Sequence, residues 1–173
     1  MEVRGLCKRY DKFALEQVDL VLPKGCIMGF VGENGAGKTT TLKCILDIAR
    51  KDSGTVRIFG KEARSADRED IGVVFAEMAY QQDMTGKNIN SMYRKIYRNW
   101  QEETFFRYLD RLGIDRNKSY KNVSRGMQVK LQLAVALSHR ARLLLLDEPT
   151  SGLDPVVRDE ILEIFQDFIM DEQ

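Results

Sequence analysis

The sequence predicts an α/β fold in which a mostly parallel sheet carries helices on its faces. Short apolar runs alternate along the chain with amphipathic helical segments, which is the order typical of such a sheet. Two of these runs, residues 27–31 and 143–146, are apolar throughout, as expected of strands covered on both faces. The last segment, residues 155–170, repeats apolar residues with the period of a helix packed on a sheet.

The first half of the chain holds most of the predicted strands and one helix. A turn at Pro23 separates two strand-like runs, and a glycine-rich turn follows the second of them. Residues 38–49 then place apolar side chains on one face, which predicts a helix. The strands that we predict in this half are residues 18–22, 27–31, 55–59 and 71–75.

Residues 83–122 differ from the flanking sequence because they are polar, helical in pattern and rich in aromatic side chains. We predict a helical subdomain there, inserted into a catalytic core formed by residues 1–82 and 123–173, all within one domain spanning 1–173. A basic stripe of Arg94, Lys95 and Arg98 is interpreted as a solvated helix face.

The composition excludes several classes of protein. The 173 residues include 27 Lys+Arg and 26 Asp+Glu, so the net charge of +1 argues against a nucleic-acid partner. The three cysteines are scattered without metal-binding spacing, which indicates reduced thiols. The chain opens without the apolar core of a signal peptide, and its apolar runs are shorter than the ~20 residues that span a bilayer. We therefore expect a cytoplasmic protein that reaches a membrane only through a partner.

Residues 32–39 match the phosphate-loop pattern G-x-x-x-x-G-K-[ST] without a mismatch. Glycines allow the backbone N–H groups to turn toward phosphate oxygens, and the following helix aims its positive end at the same place. Lys38 is expected to reach the β- and γ-phosphates, Thr39 to ligate Mg²⁺, and Thr40 to lie near the α-phosphate. The predicted nucleotide-binding residues are Gly32, Glu33, Asn34, Gly35, Ala36, Gly37, Lys38, Thr39 and Thr40.

A second acidic element follows the run of four leucines at residues 143–146. Ligands of parallel α/β sheets bind beyond the carboxyl ends of the strands. Asp147 is therefore expected to hold Mg²⁺, directly or through water, and Glu148 to orient or deprotonate the attacking water. With Lys38, Glu148 is the predicted catalytic residue.

Together with the phosphate loop, the run Asp-Glu-Pro-Thr-Ser-Gly-Leu-Asp at residues 147–154 resembles the nucleotide-binding domain of ATP-binding cassette (ABC) transporters. The resemblance covers essentially the whole chain and implies a P-loop NTPase with an antiparallel β part near its N-terminus and a helical subdomain. It also implies an ATPase subunit that pairs head to tail with a second copy around MgATP. Such a subunit drives a separate membrane permease from the cytoplasmic face, and the sequence looks most like an exporter of the ABC-2 kind.

The resemblance assigns roles to four further residues. Ser124 and Gly126 fall in the place of the family's signature sequence, where Ser124 would contact the γ-phosphate bound by the other copy and also cap the following helix. Asp154 would contact the partner's phosphate loop, with a simple turn before Pro155 as the alternative. Tyr10 resembles the aromatic residue that stacks on adenine, with an ordinary packed tyrosine as the alternative.

The sequence departs from the family at several positions. The place of a metal-linking glutamine falls on Ala76, so Glu77, or else Gln81 or Gln82, would take its role, and Glu77 is preferred. Arg125 and Met127 replace a glycine and a glutamine of the signature.

The family's final strands and its switch histidine lie beyond residue 173, so we expect a truncated domain. The single histidine, His139, is expected at the surface of a helix C-terminus.

In the family the helical subdomain receives coupling helices of the membrane subunit. Its aromatic residues are therefore either a docking surface or the core of the subdomain, and packing is preferred for at least half of them. Two alternatives to a transport ATPase also stay open. One is an ABC-type ATPase that acts on a soluble partner such as the ribosome. The other is a fragment that binds ATP without hydrolysing it.

Overall fold

The computed structural model describes residues 1–75 and 80–171, and these form two compact units. Unit 1 comprises Met1–Asp67, and unit 2 comprises the described residues from Arg68 onward. Ala76 and Glu77, which we considered for the metal-linking role, lie outside the described residues.

Unit 1 is built on an antiparallel sheet with the strand order β2-β1-β3-β4. Its buried side chains include Val56 and Ile58, which alternate along β3, and Val3 and Leu6 of β1, between which the register of the strand shifts. The antiparallel part expected from the family resemblance is therefore present. The elements of unit 1 are β1 (Glu2–Tyr10), β2 (Phe13–Val21), helix α1 (Lys38–Ile45), β3 (Ser53–Ile58), β4 (Lys61–Glu62) and a 3₁₀ turn (Ala63–Ser65).

The predicted strand at residues 27–31 is wrong. These residues belong to neither sheet of the described chain, and Ile27 and Val31 are 64% and 96% exposed. An apolar run becomes a buried strand only when a neighbouring strand satisfies its backbone and other elements cover both faces. The sheet of unit 1 provides no such neighbour for this segment.

Helix α1 begins at Lys38 as predicted but ends at Ile45 rather than near residue 49. Asp47 adopts a left-handed conformation with φ of 55°, and the backbone N–H of Asp47 donates to the Cys44 carbonyl. A left-handed residue just after the last helical turn is a common way to end a helix.

Unit 2 contains a two-stranded parallel sheet and most of the helices. Strands β5 and β6 pair in register from Ile71 opposite Leu143 to Val74 opposite Leu146. The elements of unit 2 are a 3₁₀ turn (Arg68–Asp70), β5 (Ile71–Val74), α2 (Gly86–Ile96), α3 (Glu102–Arg111), a 3₁₀ turn (Tyr120–Asn122), α4 (Arg125–Leu137), β6 (Leu143–Leu146) and α5 (Pro155–Asp171).

Helix α5 buries the face that its sequence period predicts. Ile161 and Ile164 are almost completely buried, and Val157, Phe165 and Phe168 pack beside them. Ile161 joins Val74 of β5 and Leu133 of α4 in one cluster, so this helix packs with α4 beside the parallel sheet.

The aromatic residues of the middle segment form the core around α2 and α3. Phe105 and Tyr93 are buried, and Trp100 stacks on Tyr93 with ring centroids 5.5 Å apart. The indole N–H of Trp100 donates to Asn90 at 2.8 Å, which satisfies its polar atom inside the cluster. Packing is therefore the role that the structure shows for these rings.

Candidate functional site

The phosphate loop of unit 1 turns through two glycines with positive φ, Gly35 at 85° and Gly37 at 98°. Gly37 immediately precedes α1 and serves as its N-terminal cap residue. A Cβ at Gly37 would lie 2.7 Å from Cζ of Phe13 and 3.0 Å from Cδ1 of Leu15. Both the backbone conformation and the close approach of β2 therefore require glycine at this position.

The ammonium group of Lys38 folds back over the loop. Its Nζ donates to the carbonyl oxygens of Gly32 at 2.7 Å and Glu33 at 3.0 Å. The N–H of Ala36 also donates to the Glu33 carbonyl, which closes the turn. A phosphate would offer this ammonium charged acceptors, which bind more strongly than neutral carbonyls.

Thr39 and Thr40 lie in the first turn of α1, as the motif predicts. The following residue, Thr41, was not singled out by the sequence pattern. Its hydroxyl is completely buried and donates to the Gly37 carbonyl at 2.9 Å. This bond ties the start of the helix to the loop, and a helix N-terminus held in this way is suited to an anion.

Tyr10 ends β1 and leaves 47% of its surface exposed. The Nζ of Lys8 lies 5.1 Å from the centroid of its ring. An exposed aromatic face flanked by a cation is suited to stacking against a nucleobase.

In unit 2, Asp147 and Glu148 follow β6 directly. The N–H of Asp147 donates to the Val74 carbonyl at 2.9 Å, and this contact continues the pairing of β6 with β5. Asp147 is only 6% exposed, whereas Glu148 is exposed and adopts a φ of 48°. A left-handed φ is uncommon for a residue other than glycine.

The loop after Glu148 consists of two successive turns that lead into α5. The N–H of Ser151 donates to the Glu148 carbonyl at 3.0 Å, and that of Leu153 donates to the Thr150 carbonyl. Asp154 then caps α5, because its Oδ1 accepts from the N–H of Val157 at 3.1 Å.

Ser124 is the N-cap of α4, and its Oγ accepts from the N–H of Met127 at 3.3 Å. The predicted capping role is therefore confirmed. Gly126 lies in the first turn of the same helix, where a Cβ would come within 3.2 Å of Cγ1 of Val157. This close approach of α4 to α5 gives the glycine a packing role that the sequence pattern had not indicated.

A small open cavity of about 40 Å³ lies between the end of β6 and α4. Its lining includes both carboxylates, Asp147 and Glu148, together with Arg125, Gln128 and Ser151. Asp147, one of the two predicted metal ligands, and Glu148, predicted to act on the attacking water, thus line one cavity with part of α4.

Residues 15–151 match the sequence model of the ABC transporter family. The chain belongs to this family. It is an ATP-binding domain of the ABC transporter kind, and its resemblance to P-loop NTPases is confirmed. No helix among the described residues is both long and apolar enough to cross a membrane.

Named ABC proteins match nearly the full length of this chain. It is 32% identical to the ABC transporter ATP-binding protein YtrB of Bacillus subtilis over 96% of its length, and 33% identical to the bacitracin transport ATP-binding protein BcrA of Enterococcus faecalis over 93%. It is 31% identical to the lantibiotic transport ATP-binding protein SrtF of Streptococcus pyogenes over 97%. The chain spans 58%, 54% and 74% of these three relatives, respectively.

Solved structures of ABC ATPases share the fold. The ATP-binding cassette MJ0796, in a dimeric post-hydrolysis state with ADP and Pi, superposes with a TM-score of 0.84 at 22% identity, covering 99% of this chain and 84% of that one. CbiO1 of Clostridium perfringens, part of the transporter complex CbiONQ, gives 0.78 at 23% identity, covering 99% and 74%.

Within this ABC domain, His139 is not the surface residue that we expected. It is only 1% exposed, and its ring stacks on Tyr97 with centroids 4.1 Å apart and an interplanar angle of 5°. Nδ1 lies 3.1 Å from the Val135 carbonyl, and Nε2 lies 3.4 Å from that of Ile71. Burial lowers the pKa of His139, although the two carbonyls act against this effect. Strand β5 and Tyr97 cover the C-terminal end of α4. A positive charge on His139 is therefore not favoured there as it would be at the surface.

Gln81 and Gln82, which we also considered for the metal-linking role, are exposed and belong to a turn before α2. Their carbonyls accept from the N–H groups of Met84 and Lys121, respectively, both at 3.0 Å. These bonds involve only the backbone of the turn. The metal-linking role of the two side chains therefore stays a prediction.

Proposed function

We propose that this chain binds and hydrolyses MgATP as the ATP-binding subunit of an ABC transporter of the exporter kind. The observation that carries this proposal is the phosphate loop, in which Gly37 turns the chain into α1 and Lys38 is held over the loop carbonyls. The family match across residues 15–151 supports the same conclusion.

The names of the relatives support a role in transport. They include proteins named for bacitracin transport, for lantibiotic transport and for daunorubicin/doxorubicin resistance. Relatives named for phosphonate import and for methionine import also match, at 29% and 32% identity. The ATP-binding domain is therefore of the same kind whichever way the substrate is transported. We propose that the membrane subunit sets the substrate and that this chain supplies the energy.

Catalysis would depend on positioning and on charge stabilisation. Lys38 would place its ammonium on the β- and γ-phosphates, where it opposes the charge that develops during phosphoryl transfer. Glu148 would accept a proton from the attacking water, or orient that water, from its exposed position after β6.

The oxygen donors of this chain fit Mg²⁺. Thr39 offers a hydroxyl and Asp147 a carboxylate, which are hard ligands of the kind that Mg²⁺ takes together with substrate phosphates. We propose these two residues as the protein ligands. When bound, Mg²⁺ neutralises phosphate charge.

Four residues complete the proposed nucleotide site. Tyr10 would stack on adenine. Ser124 and Gly126 of one copy would approach the γ-phosphate held by the other, and Asp154 would contact the partner's phosphate loop. The exposed position of Ser124 at the start of α4 supports this role, because a helix N-terminus attracts anions.

The test is ATP binding and steady-state hydrolysis by the 173-residue chain and three variants. Lys38→Ala should lose binding, whereas Glu148→Gln should bind ATP, lose hydrolysis and accumulate as a dimer in size-exclusion chromatography with ATP. Glu163→Gln, an identical change on the exposed side of α5, should behave as wild type. Wild-type chain that binds no ATP, or a Glu148→Gln variant with full turnover, would contradict the proposal.

The transporter assignment has its own test. The chain expressed in its native cell should copurify with a membrane protein after detergent extraction. Copurification with ribosomes from the soluble fraction would instead support an ATPase that acts on a soluble partner.

A further inference from the structure

Arg125 is the first residue of α4, immediately after the capping residue Ser124. A cation at a helix N-terminus opposes the positive end of the helix dipole, so helix stability does not explain an arginine here. The contacts of the side chain within the chain suggest another reason.

The guanidinium of Arg125 lies flat against Gly152 in the loop before α5. A Cβ at Gly152 would be 3.4 Å from Nη1, 3.6 Å from Cζ and 3.9 Å from Nη2 of Arg125. Gly152 has a φ of 69°, a conformation that favours glycine, and without a side chain it leaves room for the guanidinium. One face of the planar group thus lies over the side of Gly152 from which a side chain would project.

The same arginine lines the cavity that contains Asp147 and Glu148. The loop begins at Glu148, whose carbonyl accepts from Ser151, and ends at the α5 cap Asp154. A contact at Gly152 therefore acts within a short segment that begins at Glu148 itself. Movement of this segment changes the backbone that presents Glu148.

We propose that Arg125 is a positioning residue for the loop at residues 148–154. Its guanidinium holds Gly152, keeps the two turns closed and thereby sets the orientation of Glu148. The planar shape of the group is essential, because a lysine ammonium is a compact charge on a flexible stem and does not cover a backbone surface in this way.

The kinetic part of this inference rests on the proposed ATPase function, whereas its conformational part does not. The first measurement is therefore amide hydrogen exchange of residues 149–153 in the full chain without nucleotide. Arg125→Ala should raise exchange there by about tenfold, because loss of the covering guanidinium makes local opening of the loop easier. Arg107→Ala, an exposed arginine of α3, is the matched control and should change nothing in this loop.

The second measurement is steady-state ATP hydrolysis. Arg125→Ala should lower kcat by about 10- to 100-fold, the effect of a displaced catalytic group, with KM for ATP within about twofold of wild type. Arg125→Lys should restore neither the exchange protection nor kcat. The emission of Trp100, the single tryptophan, gives the unfolding midpoint and checks that each variant is folded. If Arg125→Ala does not fold, Arg125→Lys decides alone.

Three outcomes would overturn the inference. Unchanged exchange in Arg125→Ala would show that the arginine does not hold the loop, whatever happens to activity. Full restoration by Arg125→Lys would show that charge alone suffices. A raised KM with unchanged kcat would make Arg125 a nucleotide-binding residue. A wild-type chain without ATP turnover would refute the proposed function, and the exchange measurement would still decide the role of Arg125.

Discussion

Replacement of Gly37 by alanine tests the reasoning about the phosphate loop most directly. Gly35 and Gly37 both have positive φ, at 85° and 98°, so alanine is strained at either position. They differ in their surroundings. A Cβ at Gly35 would meet no atom within 4 Å, whereas at Gly37 it would lie 2.7 Å from the end of the Phe13 ring and 3.0 Å from a methyl of Leu15.

The expected costs follow from this difference. A left-handed conformation costs a residue other than glycine about 1–2 kcal/mol, which is the whole effect expected for Gly35→Ala. Overpacking costs about 1–3 kcal/mol, and the lower part of that range applies because both contacts are ends of side chains. Gly37→Ala should therefore destabilise by about 2–4 kcal/mol in total.

The assay is native-state hydrogen exchange of the amides in β1 and β2. Phe13 and Leu15 belong to β2, so a steric clash with the new Cβ should destabilise this hairpin. ATP binding by the two variants is measured alongside. Gly37→Ala should lower the opening free energy by about 1–2 kcal/mol more than Gly35→Ala does. Adding Phe13→Leu should recover part of this excess. Equal effects of the two alanine variants would refute the argument from the close approach of β2.

Two further predictions concern unit 2. Burial lowers the pKa of His139 from its ordinary value of 6.5, so its contribution to stability is complete above that pH and is lost as the pH falls through the lowered pKa. The urea unfolding midpoint, measured from about pH 5 to about pH 8, should depend less on pH in His139→Gln than in wild type. An equal pH dependence of the two proteins would contradict this. Phe105 is fully buried beside Trp100, so Phe105→Ala should cost about 3–5 kcal/mol in urea unfolding followed by Trp100 emission. The same change at half-buried Phe106 should cost less, and an equal cost would contradict the assigned core.

The parts of the site that sequence reasoning predicted are those encoded by near neighbours in the chain. Lys38 follows its glycine loop directly, and Ser124 caps the helix that begins at the next residue. Strand β6 and the buried face of α5 were also predicted, because a continuous apolar run and a helical period are local properties.

The predictions that failed required information from distant residues. The apolar segment at residues 27–31 has the composition of a buried strand, but a strand needs a hydrogen-bonded neighbour, and neither sheet of the described chain supplies one. His139 has the local sequence of a surface residue at a helix end. It is buried because the Ile71 carbonyl, 68 residues away in sequence, and the Tyr97 ring meet it in the folded chain.

Sequence by itself determined the chemistry of this protein, namely a phosphate loop, two carboxylates after a strand and the family to which they belong. Side-chain identity at short, regular spacing carries that information, because backbone turns and helix caps form within a few residues. Tertiary structure alone decided that Arg125 covers Gly152, that Gly37 lies against Phe13 and that His139 is buried. These contacts join residues far apart in the chain, and only packing brings such residues together.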